Sequence, residues 1–409
     1  MKISFFTWEY DPFLVGGLGV YSTEITRKFV ELGNEVLVYS LNYRNKLPTR
    51  AKKHGVTVIR PRIIETRRLL EIICNDELKK WREGLKLFCS ILSYNFTSAI
   101  DLVSRVEKPE ILAFHDWLSA FSGFLLRNKI NSKFVFHIHS TEEQRNLGGG
   151  SSTIKEIEKE FASSCDKIIT VSYSLRNFLI KRGFGKNIEV VYNGCDPTKF
   201  NPERVKEKDL ASLRKRYRIK RDEKILFFIG RLTWIKGVHN LLKAFKLVLK
   251  SFGKVRLIIV GIGEEYPKLV KLAKELGIES KIVFRNEWLD EYEKVCHYAL
   301  ADLCIFPSLT EPFGIVCSEA MAMEKPVVVG ASGEVNGFRE QVIPKGKERC
   351  GTHVNGYSPE DIAWGIQVTL ENPDEAKFWG ENGRKLVLKK FNWDIAAKQT
   401  LKIYQNLLK

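Results

Sequence analysis

The sequence predicts an α/β protein built as two doubly wound parallel-sheet domains that face each other across a cleft. Three observations carry this. The chain has 409 residues, more than one hydrophobic core usually organises, so two domains of about 200 residues each are expected. Short β-branched and aromatic runs alternate with amphipathic helical patterns, which is the rhythm of strands joined by crossover helices. After Asp196 that rhythm gives way to a polar, basic stretch, and it restarts at Ile225.

In chain order, strands are expected over 2–8, 36–40, 57–61, 111–115, 134–139, 167–171 and 188–192. A helix over 20–32 is stopped by Gly33, and another is capped by Ser172 and ended by Gly183. A long helical stretch over 69–106 exceeds an ordinary crossover and fits either an elaborated crossover or a lid. The second half repeats the pattern with strands over 225–230, 256–261, 281–284, 303–307 and 326–330. This gives a first domain over 1–195, a basic linker over 196–223 and a second domain over 224–391. The last segment, 392–409, is a helix free to pack back across the boundary.

Composition sets limits. Apolar residues at 44%, charged residues at 28% and only 13 prolines exclude disorder and collagen-like repeats. No apolar run approaches the roughly 18 to 20 residues that a crossing helix requires, and the amino terminus lacks a signal-peptide core. Eight scattered cysteines without C-x-x-C or zinc spacing argue for buried thiols in a reducing, cytoplasmic compartment. The net charge of +17 admits nucleic acid, an anionic membrane surface or an anionic substrate. Much of it is local: residues 197–224 hold eleven Lys and Arg against five Asp and Glu, and a solvated linker face is favoured over a binding patch there. No aromatic-rich RNA motif, helix-turn-helix or zinc module supports a nucleic-acid partner.

The sharpest chemical signal is Glu311-Pro312-Phe313-Gly314-Ile315-Val316-Cys317-Ser318-Glu319, which follows a strand. A helix starting near Gly314 leaves Glu311 in the preceding loop and Glu319 in the second turn, so both carboxylates can look into one cleft. Between them the free N–H groups of Gly314, Ile315 and Val316 form the positive end of a helix dipole, where a phosphate sits. This segment resembles the E-x7-E motif of retaining glycosyltransferases of the GT-B fold, the broad group that contains the glycogen and starch synthases. That fold consists of two Rossmann-like domains.

Further motifs extend the resemblance over nearly the whole chain, least well over 62–106. Gly230-Arg231-Leu232-Thr233-Trp234-Ile235-Lys236-Gly237 is similar to the G-R-x-x-x-x-K-G loop, and Arg with Lys at a strand end can neutralise a departing diphosphate. Gly16-Gly17-Leu18-Gly19 follows the first strand and opens a helix, as a turn that lets backbone approach a phosphate should. Leu14 stands where bacterial glycogen synthases carry a lysine. His115-Asp116-Trp117 resembles the family's H-D-W, and His139 matches the histidine beside the transferred sugar. Tyr192-Asn193-Gly194-Cys195-Asp196 resembles the turn that closes the first domain, and Val260-Gly261-Ile262-Gly263-Glu264 the second domain's nucleotide-side turn.

The resemblance implies transfer of a sugar with retention from a nucleotide sugar, ADP- or UDP-glucose, to an α-glucan acceptor, with no further cofactor. Glu311 would orient the sugar and stabilise positive charge, and Glu319 would accept from the ribose hydroxyls. Arg231, Lys236, Gly17 and the amides of Gly314 to Val316 would hold the diphosphate, while Asp116 and His139 would face the glycosyl ring. No two of the 13 aspartates are separated by one residue, so no D-x-D is available and a metal-free design is expected. Two alternatives are a glycosyltransferase in peripheral membrane contact, acting on a lipid-linked or small-molecule acceptor, and a nucleotide-sugar epimerase.

Overall fold

The computed structural model describes residues 1–64 and 83–409. The first sheet holds β1 (Lys2–Phe6), β2 (Glu35–Tyr39), β3 (Arg50–Lys53), β4 (Val56–Ile59), β5 (Ile111–His115), β6 (Lys133–Ile138), β7 (Lys167–Thr170) and β8 (Ile188–Val190). Their spatial order is β3-β4-β2-β1-β5-β6-β7-β8. All pairs are parallel except β3 with β4. The antiparallel edge strand β3, Arg-Ala-Lys-Lys, has no apolar alternation and escapes sequence reading.

The second sheet holds β9 (Lys224–Ile229), β10 (Val255–Val260), β11 (Ile282–Arg285), β12 (Leu303–Phe306), β13 (Val327–Gly330) and β14 (Gly351–Val354). It is wholly parallel in the order β11-β10-β9-β12-β13-β14. Strands such as β5 and β12 are buried at every position, as expected where helices cover both faces of a parallel sheet. In each sheet the strand order reverses once, between β1 and β5 and between β9 and β12. Ligands of open α/β sheets bind beyond the carboxyl ends of the strands at such reversals.

The helices that matter here are α1 (Gly17–Glu31), α2 (Glu83–Ser104), α3 (Glu207–Arg216), α4 (Val238–Ser251), α5 (Glu291–Leu300), α6 (Ile315–Ala322), α7 (Pro373–Lys390) and α8 (Trp393–Leu408). Helix α2 is the crossover into β5: its Tyr94 hydroxyl donates to the carbonyls of Thr7 and Tyr39 at 3.0 Å each, fixing the helix to the sheet. The rest of the long stretch expected over 69–106 lies partly outside the described residues. The span Gly84–Ser104, with a mean hydropathy of 1.2, does have the length and composition of a crossing helix, which the sequence reading excluded. Ile91, Tyr94 and Leu102 on it are buried in the core of the first domain, so that face serves packing, while Leu87, Phe96, Ile100 and Val103 are exposed.

The segment 196–223 is largely exposed, as a solvated linker face should be, with Lys206, Lys208, Lys215, Arg218, Lys220 and Arg221 all at the surface. Some of its cations are engaged: Arg214 donates to the carbonyl of Lys220 at 2.9 Å, Arg216 pairs with Glu293 at 2.7 Å, and Lys199 pairs with Glu24 at 2.8 Å and Glu291 at 3.0 Å. Helix α3 docks through buried Leu213 onto the second domain, and the Tyr217 hydroxyl meets His297 Nε2 of α5 at 2.7 Å. A high density of Lys and Arg hides such a helix because the apolar stripe is one residue per turn.

The chain crosses between domains twice, side by side. Cys195 N–H donates to the Phe391 carbonyl at 2.9 Å, and a Cβ on Gly194 would stand 2.4 Å from the Asn392 carbonyl carbon, so only glycine permits this approach. Helix α8 then packs on α1, with Lys28 paired to Asp394 at 3.0 Å and the Tyr404 hydroxyl 2.7 Å from His137 Nε2.

Candidate active site

Both strand reversals bring their motifs to one place. Beyond β1, Glu9 Oε2 accepts the N–H groups of Val15 at 2.9 Å and Gly16 at 2.8 Å and so shapes the glycine turn. A Cβ on Gly16 would lie 3.6 Å from Arg231 Nε, and one on Gly17 would lie 3.5 Å from Ile315 Cδ1. Arg231 follows β9 and Ile315 opens α6. The glycine turn of the first domain thus faces the arginine and the helix start of the second.

Beyond β9, Arg231 is exposed and makes no hydrogen bond or ion pair among the described residues. Lys236 is half-buried and paired with Glu311. Beyond β12, Glu311 is buried, its Oε2 also accepts from Ser308 Oγ at 3.2 Å, and its backbone is tied to Val335 and Gly337 at 3.2 and 2.6 Å. The carboxylate is therefore held from both sides at the end of a strand, with a cation against it.

At the start of α6 the Gly314 N–H donates to Gln341 Oε1 at 3.1 Å. That amide, expected to hold an anion, is already engaged. Ile315 and Val316 keep unpartnered N–H groups at the first turn among the described residues, so the helix end retains two donors of the three.

The two carboxylates of the motif part company. Glu319, only 2% exposed, has Oε1 taken by Lys294 Nζ at 2.7 Å and Oε2 by the Tyr298 hydroxyl at 2.8 Å. Both of its oxygens are thus engaged by α5. Lys294 and Tyr298 were not singled out from the sequence; a lysine and a tyrosine four apart on an amphipathic helix carry no signal of their own.

On the first domain, Asp116 and His139 do come together, but through backbone. Asp116 Oδ1 accepts the N–H of His139 at 2.8 Å and of Ser140 at 3.4 Å. Asp116 itself is buried and sits at φ 55°, ψ 173°, a region that non-glycine residues avoid. The side chain of His139 is bonded to His115, Nε2 to Nδ1 at 3.1 Å. His137, beside them, meets Tyr404 at 2.7 Å and Tyr21 at 3.4 Å. Burial pulls all three histidines below their ordinary pKa, and mutual repulsion adds to it for His115 and His137, so the cluster is neutral near pH 7.

The two halves meet beyond these residues as well. Gln144 Nε2 donates to Thr310 Oγ1 at 2.8 Å, and Glu340 accepts from the N–H groups of Tyr173 and Ser174 at 2.9 and 2.7 Å. Among the described residues no three His, Cys, Asp or Glu side chains stand together as a metal site.

Two doubly wound domains that set their strand reversals against each other, with a glycine turn on one side and Arg, Lys, a carboxylate and a helix start on the other, define a glycosyltransferase of GT-B architecture. Residues 210–386 match the family described as glycosyl transferases group 1, and residues 15–199 match glycosyltransferase family 4. An uncharacterized glycosyltransferase of Methanocaldococcus jannaschii is 33% identical over 99% of this chain and 98% of that protein. The chain belongs to the same glycosyltransferase family as this relative. A glycogen synthase of Mycobacterium tuberculosis is 25% identical over 99% of this chain and 94% of that protein. In three dimensions, a sucrose-phosphate synthase of Thermosynechococcus elongatus superposes with a TM-score of 0.81 at 24% identity, covering 99% of this chain and 98% of that one.

Proposed function

We propose that this glycosyltransferase is a metal-independent, retaining hexosyltransferase that moves glucose from ADP- or UDP-glucose to the hydroxyl of an α-glucan. The observation that carries the reading is the apposition of Gly16 and Gly17 to Arg231 and Ile315 across the cleft. A diphosphate beside them meets an unpaired guanidinium, two free helix amides and a turn with no side chains to obstruct it. Charge leaving with the nucleotide is then met by the protein's own groups.

Glu311 lies next to that position and is paired with Lys236, which suits it to orient the sugar and to stabilise an oxocarbenium-like centre. Lys236 turns to the diphosphate when the donor binds. Glu319 binds the ribose hydroxyls: an ionised carboxylate has about four acceptor sites, and Lys294 and Tyr298 occupy two of them. Asp116 and His139 present the first domain's face to the sugar ring. Support for the glucan acceptor is the H-D-W at 115–117, the E-P-F-G at 311–314 and the full-length likeness to a protein named glycogen synthase.

The test is release of nucleoside diphosphate from a panel of nucleotide sugars with glycogen, maltooligosaccharides, free monosaccharides or lipid vesicles as acceptors. Stimulation by glucans with an α-linked product is expected. Stimulation by vesicles alone replaces the reading with a membrane-peripheral transferase, and inter-conversion of the sugar without transfer replaces it with an epimerase.

A further inference from the structure

His115 is fully buried at the end of β5, its ring stacked on Phe5 with centroids 3.9 Å apart and tilted against His137 at 4.4 Å. Its Nδ1 meets His139 Nε2 at 3.1 Å, and its own Nε2 is buried without any partner. His137 cannot supply one, because both its nitrogens are taken by Tyr404 and Tyr21.

Two neutral imidazoles joined by one hydrogen bond have two proton arrangements. If His139 donates, His115 must carry its proton on Nε2, leaving a buried N–H with nothing to accept it. If His115 donates from Nδ1, its orphan Nε2 is a bare lone pair. Orphaned buried donors are the rarer and costlier of the two. The His139 backbone is pinned by Asp116 Oδ1 at 2.8 Å, and its half-buried ring has Nε2 engaged, so Nδ1 is the nitrogen left open.

We infer that His115 is a positioning residue that sets the proton of His139: it donates to His139 Nε2, so His139 carries N–H on Nδ1 and offers a donor, not a lone pair, to a hydroxyl oxygen of the transferred sugar. The second half of this statement rests on the reading that His139 faces the sugar. A fixed donor there accepts a hydroxyl or a fluorine at the facing sugar position and discriminates against a deoxy sugar, whose absence of an acceptor leaves the N–H unpaired.

The experiment is ring ¹⁵N NMR of histidine-labelled protein, with the His139 signals assigned by their loss in His139→Ala. The wild-type protein should show a protonated Nδ1 and a bare Nε2 at His139; the reverse pattern overturns the inference. His115→Asn keeps an N–H donor near the Nδ1 position and should retain the pattern. His115→Phe keeps the stack on Phe5 but removes the donor, so the tautomer should shift and kcat should fall about tenfold, the value of one hydrogen bond, with donor KM little changed. An unshifted His139 tautomer in folded His115→Phe also overturns it. If the tautomer is as inferred but His139→Ala transfers sugar at the wild-type rate, the sugar-facing reading of His139 fails while the role of His115 stands.

Discussion

Arg231 reaches from the second domain to the glycine turn of the first, its Nε 3.6 Å from the Cβ position of Gly16, and no carboxylate answers its charge among the described residues. A cation without a counterion at the strand reversal of β9 and β12 is the feature that most directly anticipates an anionic ligand. Arg231→Ala should lower kcat about 100-fold or more, the scale of losing an electrostatic donor to a leaving group. Steady-state kinetics with the consumed donor checks this, and near-normal turnover would remove Arg231 from the reaction.

If Arg231, Lys236 and the amides of Ile315 and Val316 hold the leaving diphosphate, chelation of divalent ions should leave turnover nearly unchanged. Activity abolished by chelator and restored by magnesium or manganese would show that these groups do not suffice.

Glu311 and Glu319 should fail differently, because the structure gives them different neighbours. Glu311→Gln keeps the size of the side chain and loses the charge beside Lys236, so transfer should collapse while nucleoside diphosphate affinity stays close to normal. Glu319→Ala frees Lys294 and the Tyr298 hydroxyl in a buried place, so nucleotide affinity should drop and thermal stability with it. Calorimetric titration of nucleoside diphosphate against both variants separates the two; equal losses of affinity would contradict the assignment.

How far the sequence reaches is visible in these same residues. The parallel strands were legible, apart from β14, because each is a short, apolar run between helical patterns; β14, Gly-Thr-His-Val, lacks such a run, and Arg231, Lys236 and Glu311 fall in the segments that leave two of those strands. What stayed hidden depends on tertiary contacts. Nothing in Glu319's spacing says that Lys294 and Tyr298, more than twenty residues upstream, will take both its oxygens. Nor does any local pattern encode that Asp116 Oδ1 caps the end of a neighbouring strand, a relation across 23 residues. In the basic stretch over 196–223 no local pattern tells which cations meet acids far away in the chain, as Lys199 meets Glu24 and Arg216 meets Glu293.

Asp116 therefore permits a sharp distinction. If its work is to hold the backbone of His139, Asp116→Asn keeps an oxygen acceptor and should retain most of the turnover. Asp116→Ala loses the acceptor and leaves a non-glycine residue at φ 55°, so kcat should fall and stability with it. Nearly complete inactivation by the Asn change, in a protein with unaltered melting temperature, would instead assign the negative charge a direct part in catalysis.

The last prediction concerns pH. Glu158, 3% exposed, accepts the Glu142 N–H at 2.9 Å, and its carboxyl is pushed up to about 8 by burial, with Arg145 at 3.5 Å opposing only in part. In the unfolded chain the same group titrates near 4.3. Between these values the folded state binds the additional proton, so folding stability should decline as pH rises from about 4 to 8 on account of this group, and level off above. Glu158→Gln keeps an acceptor for Glu142 and cannot ionise. Its melting temperature should match the parent near pH 4, exceed it near pH 8, and show a flatter profile between. A variant whose melting temperature tracks the parent in parallel across that range would mean that Glu158 is already ionised in the fold, with Arg145 outweighing the cost of burial.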